Sequence, residues 1–304
     1  MSIVMGLCDA GAPLYAQLDS FLSQTWPDWD LYIGNDGGNA RDLQQVALFR
    51  ERARRQGCRV YLNPAPRQGY VANYLHQIRT LPQSADFVAL ADQDDLWLPP
   101  KIEKAMEALA GVTTPALYCG ARLIWNPVTD QRRHSRPLRR APGFRNALVE
   151  NIAGGNTIVL NRAALDLIRQ SPPAADRVFA HDWWIYLLVT GASGHVIYDP
   201  VPQILYRQHG ANQIGAGETW RGWAKARSDV LNSRWRERIT RNLDALGAAR
   251  ALLRADNQVL VDRLSAVKSV SMPARLRLIA ELGLYRQDRF SQIGFWGAVA
   301  LGRF

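Results

Sequence analysis

Asp92-Gln93-Asp94-Asp95 places three carboxylates in four residues, directly after the apolar run Phe87-Val88-Ala89-Leu90. Hard divalent cations prefer oxygen ligands, and a carboxylate pair together with substrate phosphates is the usual way in which proteins hold Mg2+ or Mn2+. Asp92 and Asp94 are therefore candidate ligands for a metal and a phosphorylated substrate. The structural alternative is an acidic turn ahead of a helix, with Asp95 as N-cap and Pro99 or Pro100 in the first turn. Three further groups carry residue types that chemistry uses. In Asn35-Asp36-Gly37-Gly38 a carboxylate able to accept the imide N–H of a pyrimidine base stands beside glycines that permit a tight turn. Arg67-Gln68-Gly69-Tyr70 precedes a helical pattern, where the guanidinium either approaches a diphosphate or stands exposed in a loop. Phe179-Ala180-His181-Asp182-Trp183-Trp184 opens the amphipathic run Ile185 to Val189 and sets a carboxylate at a helix start beside two aromatic faces. That carboxylate serves either as a base or as a cap.

The hydrophobic pattern lays out the elements that must position these groups. Ile3 to Leu7, Leu31 to Gly34, Val60 to Leu62 and Phe87 to Leu90 read as strands, with amphipathic segments such as Leu14, Leu18, Phe21 and Leu22 between them. This alternation predicts βαβ units and a mostly parallel sheet, whose ligands bind at the carboxyl ends of the strands. After Ala116 the pattern becomes mixed: Leu117-Tyr118-Cys119, an Arg-rich stretch, Thr157 to Leu160, Val196 to Tyr198 and Ile204 to Tyr206. With 304 residues, 47% hydrophobic and 21% charged, the chain suits one large domain and an appendage. Charge marks the boundary: residues 1–215 carry 21 basic and 19 acidic groups, and residues 216–304 carry 16 and 8. Cys8, Cys58 and Cys119 are odd in number and lack paired spacing, which argues against a disulfide framework or a zinc site and favours a reducing cytosol. Ile3-Val4-Met5 follows the first residues without a basic leader, so no secretory signal is expected. No run approaches the roughly 20 apolar residues that span a bilayer.

Taken in order, these segments resemble those of family 2 glycosyltransferases of the GT-A fold, over about residues 1–215. Asn35-Asp36-Gly37 resembles the family's nucleotide-binding segment and Asp92-Gln93-Asp94 its DXD motif, while Asp182 of His181-Asp182-Trp183-Trp184 matches its catalytic base. Gly154-Gly155-Asn156-Thr157 is similar to the segment lining the sugar site, and Tyr206-Arg207-Gln208-His209-Gly210-Ala211-Asn212 to the segment that follows the core sheet in bacterial members. Each motif alone is weak, and the ordered set carries the resemblance. It implies an α/β, Rossmann-like GT-A domain over 1–215, with a mostly parallel central sheet and flanking helices, and a basic, mainly helical extension over 216–304. It also implies inverting transfer of a sugar from a nucleoside diphosphate sugar to a hydroxyl of a glycan or lipid-linked acceptor, in cell-surface polysaccharide synthesis. Asp9, Asp36, Arg67, Gly69, Asp92, Asp94, Gly155 and Asn156 then hold the donor. Asp94, Asp92 and His209 are the metal ligands, for Mg2+ or Mn2+. Asp182 is the base, and Trp183 and Trp184 either stack on the acceptor or fill the core beneath it. Similarity of the His-Asp-Trp-Trp and Tyr-Arg-Gln-His-Gly segments to rhamnosyltransferase-like members favours dTDP-rhamnose, with a UDP-hexose as the other donor.

The chain departs from the family pattern in two places. The first strand ends Leu7-Cys8-Asp9-Ala10-Gly11 where a Thr-Tyr-Asn-like sequence is usual, and Leu231 stands where the Gln-x-x-Arg-Trp signature of processive members needs Gln before Arg234-Trp235. A soluble or peripheral enzyme that adds one or a few sugars is therefore expected. A nucleotidyltransferase would show a basic, Gly-rich loop after the first strand, and Gly6 to Tyr15 contains no Lys or Arg. A basic nucleic-acid-binding protein would leave Asp36, Asp92, Asp94 and Asp182 without a role. In the extension, Leu253, Leu260, Leu264 and Val267 recur among Arg250, Arg254, Arg263 and Lys268, a pattern for helices with an apolar inner and a basic outer face. The uncharged run Phe290 to Gly302 suits a membrane interface. A cytoplasmic location, peripheral on the inner face of the cytoplasmic membrane and bound to anionic lipid through the extension, follows as an expectation.

Overall fold

The computed structural model describes residues 1–173, 177–208 and 234–304. Strand β1 (Ser2–Leu7) has Ile3, Val4, Met5 and Leu7 wholly buried, because an unbroken apolar run in a parallel sheet is covered on both faces. The chain then alternates through α1 (Pro13–Leu22), β2 (Asp30–Asn35), α2 (Ala40–Arg55), β3 (Arg59–Pro64), α3 (Tyr70–Thr80) and β4 (Phe87–Ala91). Next come β5 (Leu96–Trp97), α4 (Lys101–Leu109), β6 (Ala116–Gly120), β7 (Leu123–Trp125), β8 (Arg132–His134), α5 (Phe144–Ala147) and β9 (Val159–Asn161). The remaining described elements are α6 (Arg162–Gln170), α7 (His181–Gly191), β10 (His195–Asp199), β11 (Ile204–Arg207), α8 (Arg234–Ala248), α9 (Ala255–Ser265), α10 (Met272–Leu282) and α11 (Arg289–Ala300).

Seven strands form the central sheet in the order β10-β6-β9-β4-β1-β2-β3. Its neighbours are parallel except β9, which runs antiparallel to both β4 and β6. A smaller sheet, β5-β11-β7-β8, is built from strands of two to four residues. This is the expected α/β architecture with a mostly parallel central sheet, flanking helices and helices at the C-terminal end. Of the second sheet only β11 was signalled by an apolar run, since β5, β7 and β8 are too short to show a period.

Among the described residues the chain divides into two compact units, one drawn from 1–135, 153–169 and 194–208 and the other from 136–152, 170–193 and 234–304. The first contains both sheets and a core in which Phe21, Trp29, Phe49 and Trp97 pack with the inward strand residues. The second is helical. Its α7 is buried on nearly every side, with Trp184 and Tyr186 fully enclosed, so the run of apolar residues there reads as a core helix rather than an amphipathic one. In α9, Leu260 and Leu264 are buried, which matches the expected apolar inner face, while the exposed Arg250, Arg254 and Arg263 are paired with Asp262, Asp256 and Glu281, so the outer face there is one of mixed charge rather than the basic one expected. No helix among the described residues is long and apolar enough to cross a membrane.

Helix α3 presses polar side chains directly onto the strands. Asn73 Nδ2 donates to the Gly34 carbonyl at 2.9 Å, and Gln77 Nε2 donates to Met5 O at 3.1 Å and to Asn73 Oδ1 at 2.9 Å. A Cβ on Gly34 would collide with Asn73 Oδ1 and Gln77 Nε2, and both side chains are buried and committed to these bonds. Ala normally gains up to about 1 kcal/mol over Gly in a strand, but overpacking costs typically 1–3 kcal/mol and breaking buried hydrogen bonds adds to it. Gly34→Ala is therefore expected to lower stability by about 2 kcal/mol, read as a lower urea midpoint at unchanged slope.

Candidate active site

The paired registers Leu7↔Asn35 and Met5↔Ala91 bring the carboxyl ends of β1, β2 and β4 to one edge of the sheet. Asp9, Asp36 and Asp92 leave the sheet there, as open α/β sheets require of ligand-binding residues. The loop after β1 is held by Asp42 of α2, a fully buried carboxylate whose two oxygens accept the backbone N–H groups of Ala10 and Gly11, each at 3.0 Å. Asp42 also closes a capping box with Asn39 at the start of α2. Asn39 in turn donates from Nδ2 to Asp9 Oδ1 at 2.9 Å. Asp9 adopts a left-handed backbone, φ 42°, which Asp tolerates better than most residues. Gln93 grips the same loop from the other side. Its Oε1 accepts from Cys8 N and its Nε2 donates to Cys8 O, both at 2.9 Å.

Asp36 is half-buried, and its Oδ1 is enclosed with no donor among the described residues. Leaving a buried acceptor unmade costs about 1–3 kcal/mol, so a ligand N–H placed there would be gained at little competing cost. Arg67 (φ 56°) and Gly69 (φ 88°) lie exposed immediately ahead of α3.

Asp92, Asp94 and Asp95 each offer a carboxylate oxygen within 4.8 Å of the others. Asp92 and Asp94 are partly open, whereas Asp95 has no exposed surface. Asp95 does not cap α4, which begins at Lys101 behind Pro100 without a side-chain cap. The carboxylate is turned inward instead. Its Oδ2 accepts from Asn156 Nδ2 at 2.5 Å and its Oδ1 from the backbone N–H of Arg207 at 3.0 Å. Burial pushes the Asp95 carboxyl well above the usual range, the charges of Asp92 and Asp94 add to this, and the two hydrogen bonds act against it. Arg207 also donates from Nε to the Asp94 carbonyl at 2.8 Å and lays its guanidinium on the Trp125 ring, 4.6 Å away. Tyr74 O–H donates to Ala91 O at 2.6 Å, and burial, with the charge of Asp92 beside it, raises its pKa well above the usual tyrosine value. The site thus offers two open carboxylates for a hard cation, with a third committed to holding them in place.

Of the expected site residues, Asn156 sits in a 3-10 turn (Gly155–Thr157) and spends its amide on Asp95. Asp182 occupies the first turn of α7 in the helical unit, where its Oδ1 accepts from Trp183 N at 2.7 Å, and the N-cap is Ala180. Trp183 donates from Nε1 to Ala147 O at 2.6 Å, and it and Trp184 are buried, so both fill the core of that unit. His209 lies outside the described residues. Asp42, which was not singled out from the sequence, and Gln93 and Arg207, which stood there only as members of quoted segments, hold the site. Only Asp42 had a local signal, the Asn39-x-x-Asp42 spacing.

Lys101 lies under the acidic cluster, 1% exposed, with its ammonium 3.9 Å from the Trp97 ring centroid and no hydrogen-bond partner for Nζ among the described residues. Burial lowers its pKa from 10.5 to about 7, against the pull of Asp95. Between those two values the unfolded chain binds more protons than the folded one, so this group's penalty is full below pH 7 and is relieved as pH rises. Relative to Lys101→Met, the wild-type protein is expected to gain on the order of 2 kcal/mol of stability from pH 7 to pH 9. Urea unfolding of both proteins at the two pH values measures it; parallel profiles would contradict it.

Sequence and structure comparisons agree with this geometry. The family model for glycosyl transferase family 2 matches residues 2–166. The dTDP-rhamnosyl transferase RfbG of Shigella flexneri is 26% identical over 168 residues, 54% of this chain and 57% of that protein, so the match spans little more than half of this relative's length. The mannosyltransferase PcManGT from Pyrobaculum calidifontis, solved with GDP-Man and Mn2+, superposes with a TM-score of 0.51 at 17% identity, over 99% of this chain and 85% of that one. S. aureus TarS 1–349 gives 0.54 at 12% identity, over 99% and 90%, and a structure of the same protein with UDP-GlcNAc gives 0.51 at 11% over the same shares. The sheet order, the acidic cluster at its carboxyl edge and the match over more than half of the chain agree: the protein belongs to glycosyl transferase family 2, with the GT-A fold.

Proposed function

We propose that the protein is an inverting, metal-dependent glycosyltransferase of cell-surface polysaccharide synthesis. It moves rhamnose from dTDP-rhamnose, or a hexose from a UDP-hexose, onto a hydroxyl of a glycan or lipid-linked acceptor. The observation that carries this reading is the convergence of two open carboxylates, Asp92 and Asp94, with the unsatisfied Oδ1 of Asp36 at the edge of the parallel sheet. The name of the Shigella relative supports rhamnose, and the GDP-Man with Mn2+ and UDP-GlcNAc complexes support nucleotide sugars and a divalent ion.

In this reading Asp36 accepts the imide N–H of the base, Asp9 serves the nucleoside side of the same edge, and Arg67 with the Gly69 backbone meets the diphosphate. Asp94, helped by Asp92, holds Mg2+ or Mn2+, with His209 as a further ligand. A divalent ion at this position supplies Lewis-acid neutralisation of the leaving diphosphate. Gly155 lines the sugar site, and Asn156 acts through Asp95. Asp182 takes the proton of the acceptor hydroxyl as its oxygen bonds to the anomeric carbon. The bond to the diphosphate breaks on the opposite face, which inverts the configuration. Trp183 and Trp184 anchor the helix that carries Asp182. Residues 1–215 form the transfer domain and 216–304 its basic extension, which associates with an anionic membrane on the cytoplasmic side.

Three measurements test this. Binding of nucleotide sugars, read as a rise in thermal midpoint by mass action, is expected to require Mg2+ or Mn2+ and to favour dTDP-rhamnose or a UDP-hexose. Asp94→Ala is expected to abolish most of the turnover, and full turnover in excess chelator would overturn the metal-dependent assignment. Asp182→Asn keeps size but cannot take a proton, so donor affinity should survive while kcat falls ~100-fold or more. Near-normal kcat would leave Asp182 as a residue of the helix start only.

A further inference from the structure

The helical unit contains a cleft of about 480 Å³ lined by Arg139, Arg140, Arg286 and Arg289, with Gln287, Gln292 and Ile293 between them. No carboxylate lines it. The cleft is held together by specific bonds rather than by chance proximity of long side chains. Gln287 Oε1 accepts from the backbone N–H groups of Arg139 and Arg140 at 3.0 and 2.9 Å, and its Nε2 donates to Arg140 O at 3.0 Å. Tyr285 O–H donates to Ala141 O at 2.6 Å, and the Arg140 guanidinium stacks 4.9 Å from the Tyr285 ring centroid. Asp288, between Gln287 and Arg289, accepts from Ser291 N at 2.9 Å as the N-cap of α11, and Glu150 lies 3.6 Å from Arg286. Glu150 is already engaged by Asn146 Nδ2 at 3.1 Å and by the backbone N–H of Gln287 at 2.6 Å. Arg286 keeps a buried Nε without a hydrogen-bond partner, and Arg139 and Arg289 form no ion pair among the described residues.

Four guanidiniums around one hollow repel one another unless an anion joins them. Planar forks with several N–H donors match phosphate and carboxylate oxygens bidentately, and a phosphate, with more oxygens, can engage several forks at once. A second feature continues from the same wall. Helix α11 buries Phe295, Ala298 and Val299 and turns the other side outward, where Phe290 and Ile293 are each 67% exposed and Leu301 is 65% exposed. The cleft therefore opens beside an apolar lip, with Ile293 belonging to both. A free phosphate has no use for that lip, whereas a headgroup with an attached hydrocarbon chain uses both surfaces.

We propose that this cleft binds the phosphate or diphosphate headgroup of a membrane lipid, with the outward face of α11 lying against the apolar layer. The inference deepens the membrane association of the extension and rests on it.

The test uses the full chain and phosphatidylcholine vesicles doped with either a long-chain isoprenyl diphosphate or oleate, matched in surface charge. Wild-type protein is expected to co-sediment with the diphosphate vesicles with at least about tenfold higher affinity, as guanidinium contacts to phosphate exceed screened attraction to a carboxylate surface. Arg139→Gln with Arg289→Gln, two exposed side chains whose loss leaves the fold intact, should remove about tenfold or more of that affinity. The charge-matched control Arg50→Gln with Arg55→Gln, two exposed side chains of α2, should keep it. Equal binding to both vesicle types would overturn a phosphate site. Preference surviving in the Arg139/Arg289 variant would overturn the cleft while leaving membrane association in place. Saturation by inorganic pyrophosphate, seen as a thermal shift, without any vesicle binding would overturn the lipid as the source of the phosphate.

Discussion

A carboxylate buried beneath an open pair of carboxylates governs the edge of this sheet. Taking an ionised group out of water costs several kcal/mol unless hydrogen bonds replace its hydration, and Asp92 and Asp94 raise that cost for Asp95 by like-charge repulsion. The partners come from far along the chain: the amide of Asn156 in the turn before β9, and the backbone N–H of Arg207 at the end of β11. Loss of either would leave the buried group unsatisfied. The loop after β4, that turn and the second sheet are therefore fixed together, and the two open carboxylates inherit a defined position. An acidic cluster of this kind is preorganised by a neighbour that does not itself need to touch a ligand.

The same logic recurs across the edge. Asp42 and Gln93 each bond backbone groups of the loop after β1, one from α2 and one from the acidic segment itself. Loops at strand ends are mobile unless tied down, and here four hydrogen bonds to residues 8–11 restrain the loop that carries Asp9. Asn73 and Gln77 extend the pattern under the sheet, where polar side chains from α3 reach the carbonyls of Gly34 and Met5. The first unit is thus an apolar sheet whose ligand edge is set by a small number of long-range polar contacts.

Helices of the second unit use their aromatic residues in two ways. In α7 every large apolar side chain is buried, and Trp183 and Trp184 serve packing. In α11 the aromatic content is divided, with Phe295 packed against Trp235 and Phe304 while Phe290 is largely exposed. The sequence pattern is apolar in both. The difference lies in whether neighbouring helices surround the element, which no local window records.

The first four strands, α1, the helix opening at His181 and the helical C-terminal region were legible because their burial imposes a period on the sequence: runs covered on both faces, or stripes at helical spacing. The residue types at the carboxyl edge were legible for the same reason. Ligand chemistry in a parallel sheet is confined to strand ends, so Asp36, Asp92 and Asp94 had a predictable address. Tertiary structure alone decided what has no local signature. It made Asp95 a buried anchor and not the helix cap that the sequence offered as an alternative, gave Asn156 to that anchor, buried both tryptophans after Asp182, and gathered Arg139, Arg140, Arg286 and Arg289, nearly 150 residues apart, around one cleft. Periodicity reports which face of an element is buried. The partner that a polar side chain meets depends on segments distant in sequence, and only the folded chain brings them together.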